Sequence, residues 1–227
     1  LTLKMTKKRT ISGNVAIGVF VLALIFIAVS FCSASWLVSD DRITGANFDR
    51  LGLWTHCFRS LPDPSDEYQR RFFVGCRWIY DPFTTGYDQI RGYLMPPFII
   101  VTQFFYTLAF IGTLVSFILV LLFFLCFGPE QKHFINLTLL IGVIMLSVGI
   151  CCALAVIVFA IWANDDGWMP GHDNNFFGWA FALAIAGTIA AFVCGALFLV
   201  EATVQKKKRK YLKESQTRFE MEQETKA

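Results

Sequence analysis

Apolar residues fill the chain in four long blocks, Val15–Val38, Pro96–Phe127, Phe134–Trp162 and Phe176–Val200, none containing a charged residue. A helix needs about 20 apolar residues to cross a bilayer. Runs of this length therefore predict four membrane-spanning helices. The first block could be read as a cleaved signal, since Cys32-Ser33-Ala34-Ser35 is a small-residue site. A signal core is only about 7–15 residues long, so an uncleaved span is expected. The polar remainder falls into a leader 1–14, a loop 39–95, a tight turn 128–133, a loop 163–175 and a tail 201–227.

The loop 39–95 has a different pattern. Arg71 to Tyr80 alternates imperfectly between apolar and polar residues, and turn signals stand at Leu61-Pro62-Asp63-Pro64-Ser65 and Asp81-Pro82. This predicts a small antiparallel sheet rather than a helix. A sheet of under about 60 residues buries little core of its own. A covalent staple and the membrane must help to hold it.

Composition and charge orient the spans. The chain is 56% hydrophobic and 16% charged, with a mean hydropathy of +0.55 and a net charge of +3. Lys4, Lys7, Lys8 and Arg9 precede the first span, and the tail carries eight Lys/Arg against five acids. The loop 163–175 has Asp165, Asp166 and Asp173 and no base. Basic flanks stay in the cytoplasm, so both termini are expected there, with loops 39–95 and 163–175 outside. Lys206–Lys210, directly after a span, reads as a lipid-headgroup anchor rather than a nucleic-acid patch. The sequon Asn136-Leu137-Thr138 falls on the inner side and is not expected to carry a glycan.

Of the seven cysteines, Cys57 and Cys76 alone lie in an outer loop, the oxidising side. They are expected to pair, which stabilises by about 3 kcal/mol through loop entropy. Cys151 and Cys152 read as small apolar residues, and Cys126 as a buried thiol. His56, His133 and His172 fall on three different loops, so no metal site is expected. No span holds an ionisable residue that would mark an ion path, and no nucleophile–base spacing stands out. Neither an enzyme nor a cofactor is expected. In the fourth span Gly178, Ala182, Ala186, Ala190 and Cys194 recur every four residues, beside a second row of Gly187, Ala191 and Gly195. Such rows let helices approach closely in lipid. Trp36, Trp162, Trp168 and Trp179 read as interfacial anchors.

Trp36, then Gly52-Leu53-Trp54, then Cys57 and Cys76 resemble the W–GLW–C–C signature of the claudin and peripheral-myelin-protein superfamily. Arg91 resembles the arginine that family places before its second span. The resemblance covers nearly the whole chain. It implies a left-handed four-helix bundle with a small extracellular antiparallel β-sheet drawn from both outer loops, and Trp54 and its neighbours plugged into the bundle top. It implies a plasma-membrane protein of the lateral cell junction, meeting other junction proteins side by side and across cells. The wide separation of Cys57 and Cys76 and the charged tail are similar to divergent invertebrate claudins of septate junctions, of the Pasiflora type. The tail has no Tyr-Val ending, so no PDZ scaffold is expected. The same superfamily includes auxiliary subunits of ion channels and receptors, and myelin-type membrane organisers. These are the alternative readings.

Overall fold

A computed structural model describes residues 10–40, 42, 46–63, 66–68, 70–80, 94–125, 133–163, 168–169 and 172–225. Arg91, Cys126 and most of the turn 128–133 lie outside the described residues. Four helices, α1 (Ile11–Cys32), α2 (Pro97–Leu125), α3 (Phe134–Trp162) and α4 (Trp179–Glu224), carry the four apolar blocks. Each is long and apolar enough to cross a membrane, and the chain is a multi-pass membrane protein.

On each helix the buried positions recur every three or four residues. On α1 they are Gly13, Ala16, Phe20, Ala23, Ile27 and Ser30, and on α3 they run from Phe134 through Ile141, Val148 and Ala155 to Phe159. A sustained spacing near 3.5 is the signature of helices that cross at about 20° with interlocking side chains. The opposite faces, with Leu22, Ile111, Ile118, Val143, Ile157 and Ile189 among them, are exposed, as a lipid-facing surface should be. Buried threonines of the bundle are satisfied locally. Thr102, Thr113, Thr138 and Thr188 donate their hydroxyls to the carbonyls of Phe98, Ala109, Phe134 and Ala184, each at 2.8 Å, a common bond for Thr within a helix.

The block 15–38 is divided in the structure. α1 begins at Ile11, where Thr10 is the N-cap and its side chain accepts from the Gly13 amide. It ends at Cys32, because Ser33 turns extended (φ −82°, ψ 144°). Leu37–Ser39 then form strand β1. At the other end of the chain α4 does not stop at Val200. It continues without a break for 46 residues, about 69 Å at 1.5 Å per residue, or twice the thickness of a hydrocarbon core.

The sheet stands on one end of the bundle. Strands β2 (Phe48–Leu51), β3 (Thr55–Pro62) and β4 (Phe72–Trp78) follow β1 between α1 and α2, and β5 (Asn175–Phe177) precedes α4. All pairs are antiparallel, in the order β4-β3-β2-β1-β5. The pairing of β1 with β5, Leu37 opposite Phe177, joins the two loops into one sheet.

Candidate contact site

Trp36 is the node where sheet and bundle meet. It is fully buried, with Tyr106, Phe159 and Phe181 presenting rings at 5.0–5.7 Å. Its indole Nε1 donates to the Ser30 carbonyl at 2.9 Å, one of the last α1 carbonyls that the helix leaves unpaired. Its own amide donates to Leu51 at 2.8 Å, and its carbonyl accepts from Gly178 at 2.9 Å. One residue thus ties α1, β2 and the start of α4. The interfacial reading of Trp36 is corrected here, because packing from α2, α3 and α4 closes over a ring placed just past the helix end. Trp162 and Trp179 keep exposed side chains, and Trp168 packs on Phe98 at 4.8 Å.

Gly52, Leu53 and Trp54 form the bend between β2 and β3. A Cβ on Gly52 would lie 2.6 Å from Ala34 Cα and closer still to the Ser33 carbonyl oxygen, so only glycine lets this bend seat on the end of α1. Leu53 is fully buried, and its carbonyl accepts from Gln103 Nε2 of α2 at 2.6 Å. The half-buried Trp54 leans on Phe31, ring centroids 5.4 Å apart. Its carbonyl takes the Ile79 amide at 2.8 Å. Gln103 and Ser30, whose hydroxyl donates to the Ala180 carbonyl at 2.8 Å, were not singled out by the sequence. Gln103 is the one amide side chain in its apolar block, and that is the signal that could have found it; Ser30, one of three serines in its block, carries no such signal.

Cys57 and Cys76 are disulfide-bonded, with Cα atoms 4.0 Å apart. They face each other in the β3–β4 ladder. The hairpin runs on past the bond, through Phe58 opposite Gly75 to Pro62 opposite Phe72. This arm is the physical content of the wide cysteine spacing. Gly75, at φ +89°, supplies the left-handed residue where the register shifts. At the tip the Asp66 carboxylate accepts the amides of Tyr68, Arg70 and Arg71 at 2.8–3.2 Å. The Asp63 amide donates to the Arg71 carbonyl at 3.0 Å. The base is braced by Arg59 Nε on Asp49 at 3.3 Å.

The arm is also where apolar surface is left open. Among the described residues β4 is an edge strand, and Tyr68, Phe72, Val74 and Trp78 are all more than half exposed. An apolar strand edge open to solvent is a ready template for association.

The small residues of α4 divide between two surfaces. Gly187, Ala191, Gly195 and Cys194 are buried, Ala186 and Ala190 half-buried, and Ala182 exposed. A four-residue row drifts about 40° around a helix at each step, so the first row leaves the interior after Gly178 and re-enters at Cys194. A Cβ on Gly187 would meet Ile27 at 3.0 Å, and one on Gly195 would meet Leu146 at 2.8 Å. Gly142 and Gly149 of α3 are as close to Leu199 and Phe192, at 2.9 Å each, and complete a seam that the sequence reading assigned to α4 alone.

The family model described as PMP-22/EMP/MP20/Claudin tight junction matches residues 21–200. The chain belongs to this family. The match runs from within α1 almost to the end of the apolar part of α4, so it takes in the claudin-like sheet, the arm and the Trp36 node together. No curated protein matches the chain. The protein is thus a claudin/PMP22-like membrane protein, and its four helices and Cys57–Cys76 bond form a claudin-like tetraspan fold.

Proposed function

We propose that this protein is a structural component of cell–cell junctions of the septate or tight type, contributing to the paracellular barrier through contacts of its sheet. The single observation that carries this reading is the open apolar edge of β4. A sheet pinned to a membrane bundle by Trp36, Gly52 and a disulfide is held rigidly, and its edge strand β4 offers Phe72, Val74 and Trp78. In this reading the sheet is extracellular and both termini are cytoplasmic, which the basic leader and tail support. The partners are other junction membrane proteins or further copies of this chain, side by side and across cells, together with the bilayer. The long arm and charged tail support a place among the septate-junction claudins. The motif residues Trp36, Gly52, Leu53 and Trp54 then hold the sheet to the bundle, and specificity lies along the arm.

The test is microscopy of a tagged protein in a polarised epithelium. Confinement to lateral contacts, with dye leakage on depletion, is the expected outcome. Uniform surface staining with unchanged permeability would sink the reading.

A second reading, an auxiliary subunit of a channel or receptor, is favoured by the exposed Ala182 and half-buried Ala186 and Ala190. They leave a shallow strip on which a foreign helix could pack closely. Co-purification of a channel subunit, lost in an Ala182→Leu variant, would favour it.

A further inference from the structure

At the end of the bundle opposite the sheet, α4 returns a carboxylate to the start of α1. Glu201 is fully buried. It accepts the Thr10 hydroxyl on Oε2, the Ser12 hydroxyl on the same oxygen at 2.7 Å and Gln205 Nε2 on Oε1 at 2.9 Å. Thr10 and Ser12 lie 3.1 Å apart, and Gly13 leaves the space that the carboxylate fills, its absent Cβ falling 3.2 Å from Glu201 Cδ. The first turn of α1 has no acid of its own. Glu201 supplies from another helix the anion that a helix N-terminus favours, and so latches α1 to α4.

The same hydroxyls sit in a sequence of distinct chemistry, Lys7-Lys8-Arg9-Thr10-Ile11-Ser12. Three consecutive cations lead directly to Thr10, and an apolar residue follows it. Thr10 is half-buried and has an extended backbone, φ −76° and ψ 164°, outside the helix proper. An acidic substrate groove would accept a segment of this kind.

We propose that Thr10 is a phosphorylation site for a basophilic Ser/Thr protein kinase, and that its phosphate opens the Glu201 latch. The inference rests on the cytoplasmic placement of the termini, where ATP and kinases are found. In the transfer, Thr10 Oγ1 bonds to the γ-phosphorus of ATP while the bridging oxygen–γ-phosphorus bond breaks. ADP leaves, and the hydroxyl proton passes to the kinase's base. The product carries close to two negative charges against a buried carboxylate. Thr10 also loses the proton it donated to Glu201. Two anions then stand together at the start of α1 and repel, and the first turn separates from α4.

The test uses the full-length protein in lipid nanodiscs with Mg-ATP and the catalytic domain of a protein kinase C-class enzyme. Peptide mass spectrometry is expected to place phosphate on Thr10 in the wild type and in Ser12→Ala, and nowhere in the leader of Thr10→Ala. Hydrogen exchange of the Asn14–Ile17 amides is expected to rise roughly tenfold to a hundredfold, the equivalent of one lost bond to a charged group. Phosphatase treatment should reverse the rise, and Glu201→Gln should largely remove it. Phosphate on Ser12 alone or only in the tail overturns the proposal, and so does a modified Thr10 with unchanged exchange. In intact cells, a Thr10 that stays unmodified while an N-terminal tag is reached from outside overturns the topology instead. If that tag is cytoplasmic and Thr10 still bears no phosphate under kinase activation, the site is refuted.

Discussion

Replacing Trp36 is the sharpest trial of how this fold is held together. Trp36→Phe keeps an aromatic ring among Tyr106, Phe159 and Phe181 but removes the indole N–H. The Ser30 carbonyl that it satisfies at 2.9 Å is then left buried beside a ring edge. A net hydrogen bond contributes about 1 kcal/mol, and an orphaned buried acceptor costs about 1–3 kcal/mol. Trp36→Ala forfeits the ring contacts as well, and large-to-small core changes of this kind cost about 3–5 kcal/mol. At about 2–4 °C per kcal/mol for a chain of this size, the midpoint of detergent-purified protein should fall by about 2–12 °C for Phe and about 6–20 °C for Ala. Fluorescence-detected size exclusion after a heating series reads both. Trp162→Ala serves as control, since that side chain is half exposed on the bundle surface, and it should move the midpoint little. If Trp36→Phe matches the wild type, or Trp36→Ala is no worse than Trp162→Ala, the node does not carry the junction of sheet and bundle.

Other outcomes follow from the same geometry. Cys57→Ala, Cys76→Ala and the double variant should lose surface expression equally, each by the equivalent of about 3 kcal/mol; additive losses would show that the two thiols act separately. Gly52→Ala should abolish surface delivery, since its new methyl would run into the end of α1. Gly18→Ala, where no atom lies within 4 Å, should be neutral or stabilising by up to about 1 kcal/mol; paired measurements by quantitative surface labelling decide both. Val74→Ser with Trp78→Ser should leave the melting midpoint within about 2 °C, the shift expected of an exposed change. The same pair should reduce enrichment at cell contacts at least severalfold by confocal imaging. Unchanged enrichment would remove the β4 edge from the contact.

The parts of this fold legible in the sequence were those written in unbroken runs. A span without a charge has few alternatives, so the four long helices were legible, and the pairing of two cysteines in one loop left no choice of partner. Trp36 was misread in part because a tryptophan at the end of an apolar block looks the same whether lipid or protein surrounds it. Only the positions of Tyr106, Phe159 and Phe181, more than sixty residues away in sequence, decide which. The helical rows were legible as spacing but not as direction, since a period of four drifts around a helix of 3.6 residues per turn. The arm beyond the disulfide was visible only as an unusual distance between cysteines. The extension of α4 had no amphipathic stripe to announce it. Its Gln, Lys, Arg and Glu residues are good helix formers that look equally at home in an unstructured tail.

That extension makes α4 a lever. From Glu201 to Glu224 the rod reaches about 35 Å past the latch, with no hinge residue between the part in lipid and the part beyond it. A change of about 10° in the tilt of α4, well within the range that bilayer thickness imposes on spanning helices, sweeps the far end sideways by about 6 Å. Events at the sheet, which grips the other end of the same helix through Gly178 and Trp36, are in this way geared to the position of a charged tip nearly 70 Å distant along one continuous backbone.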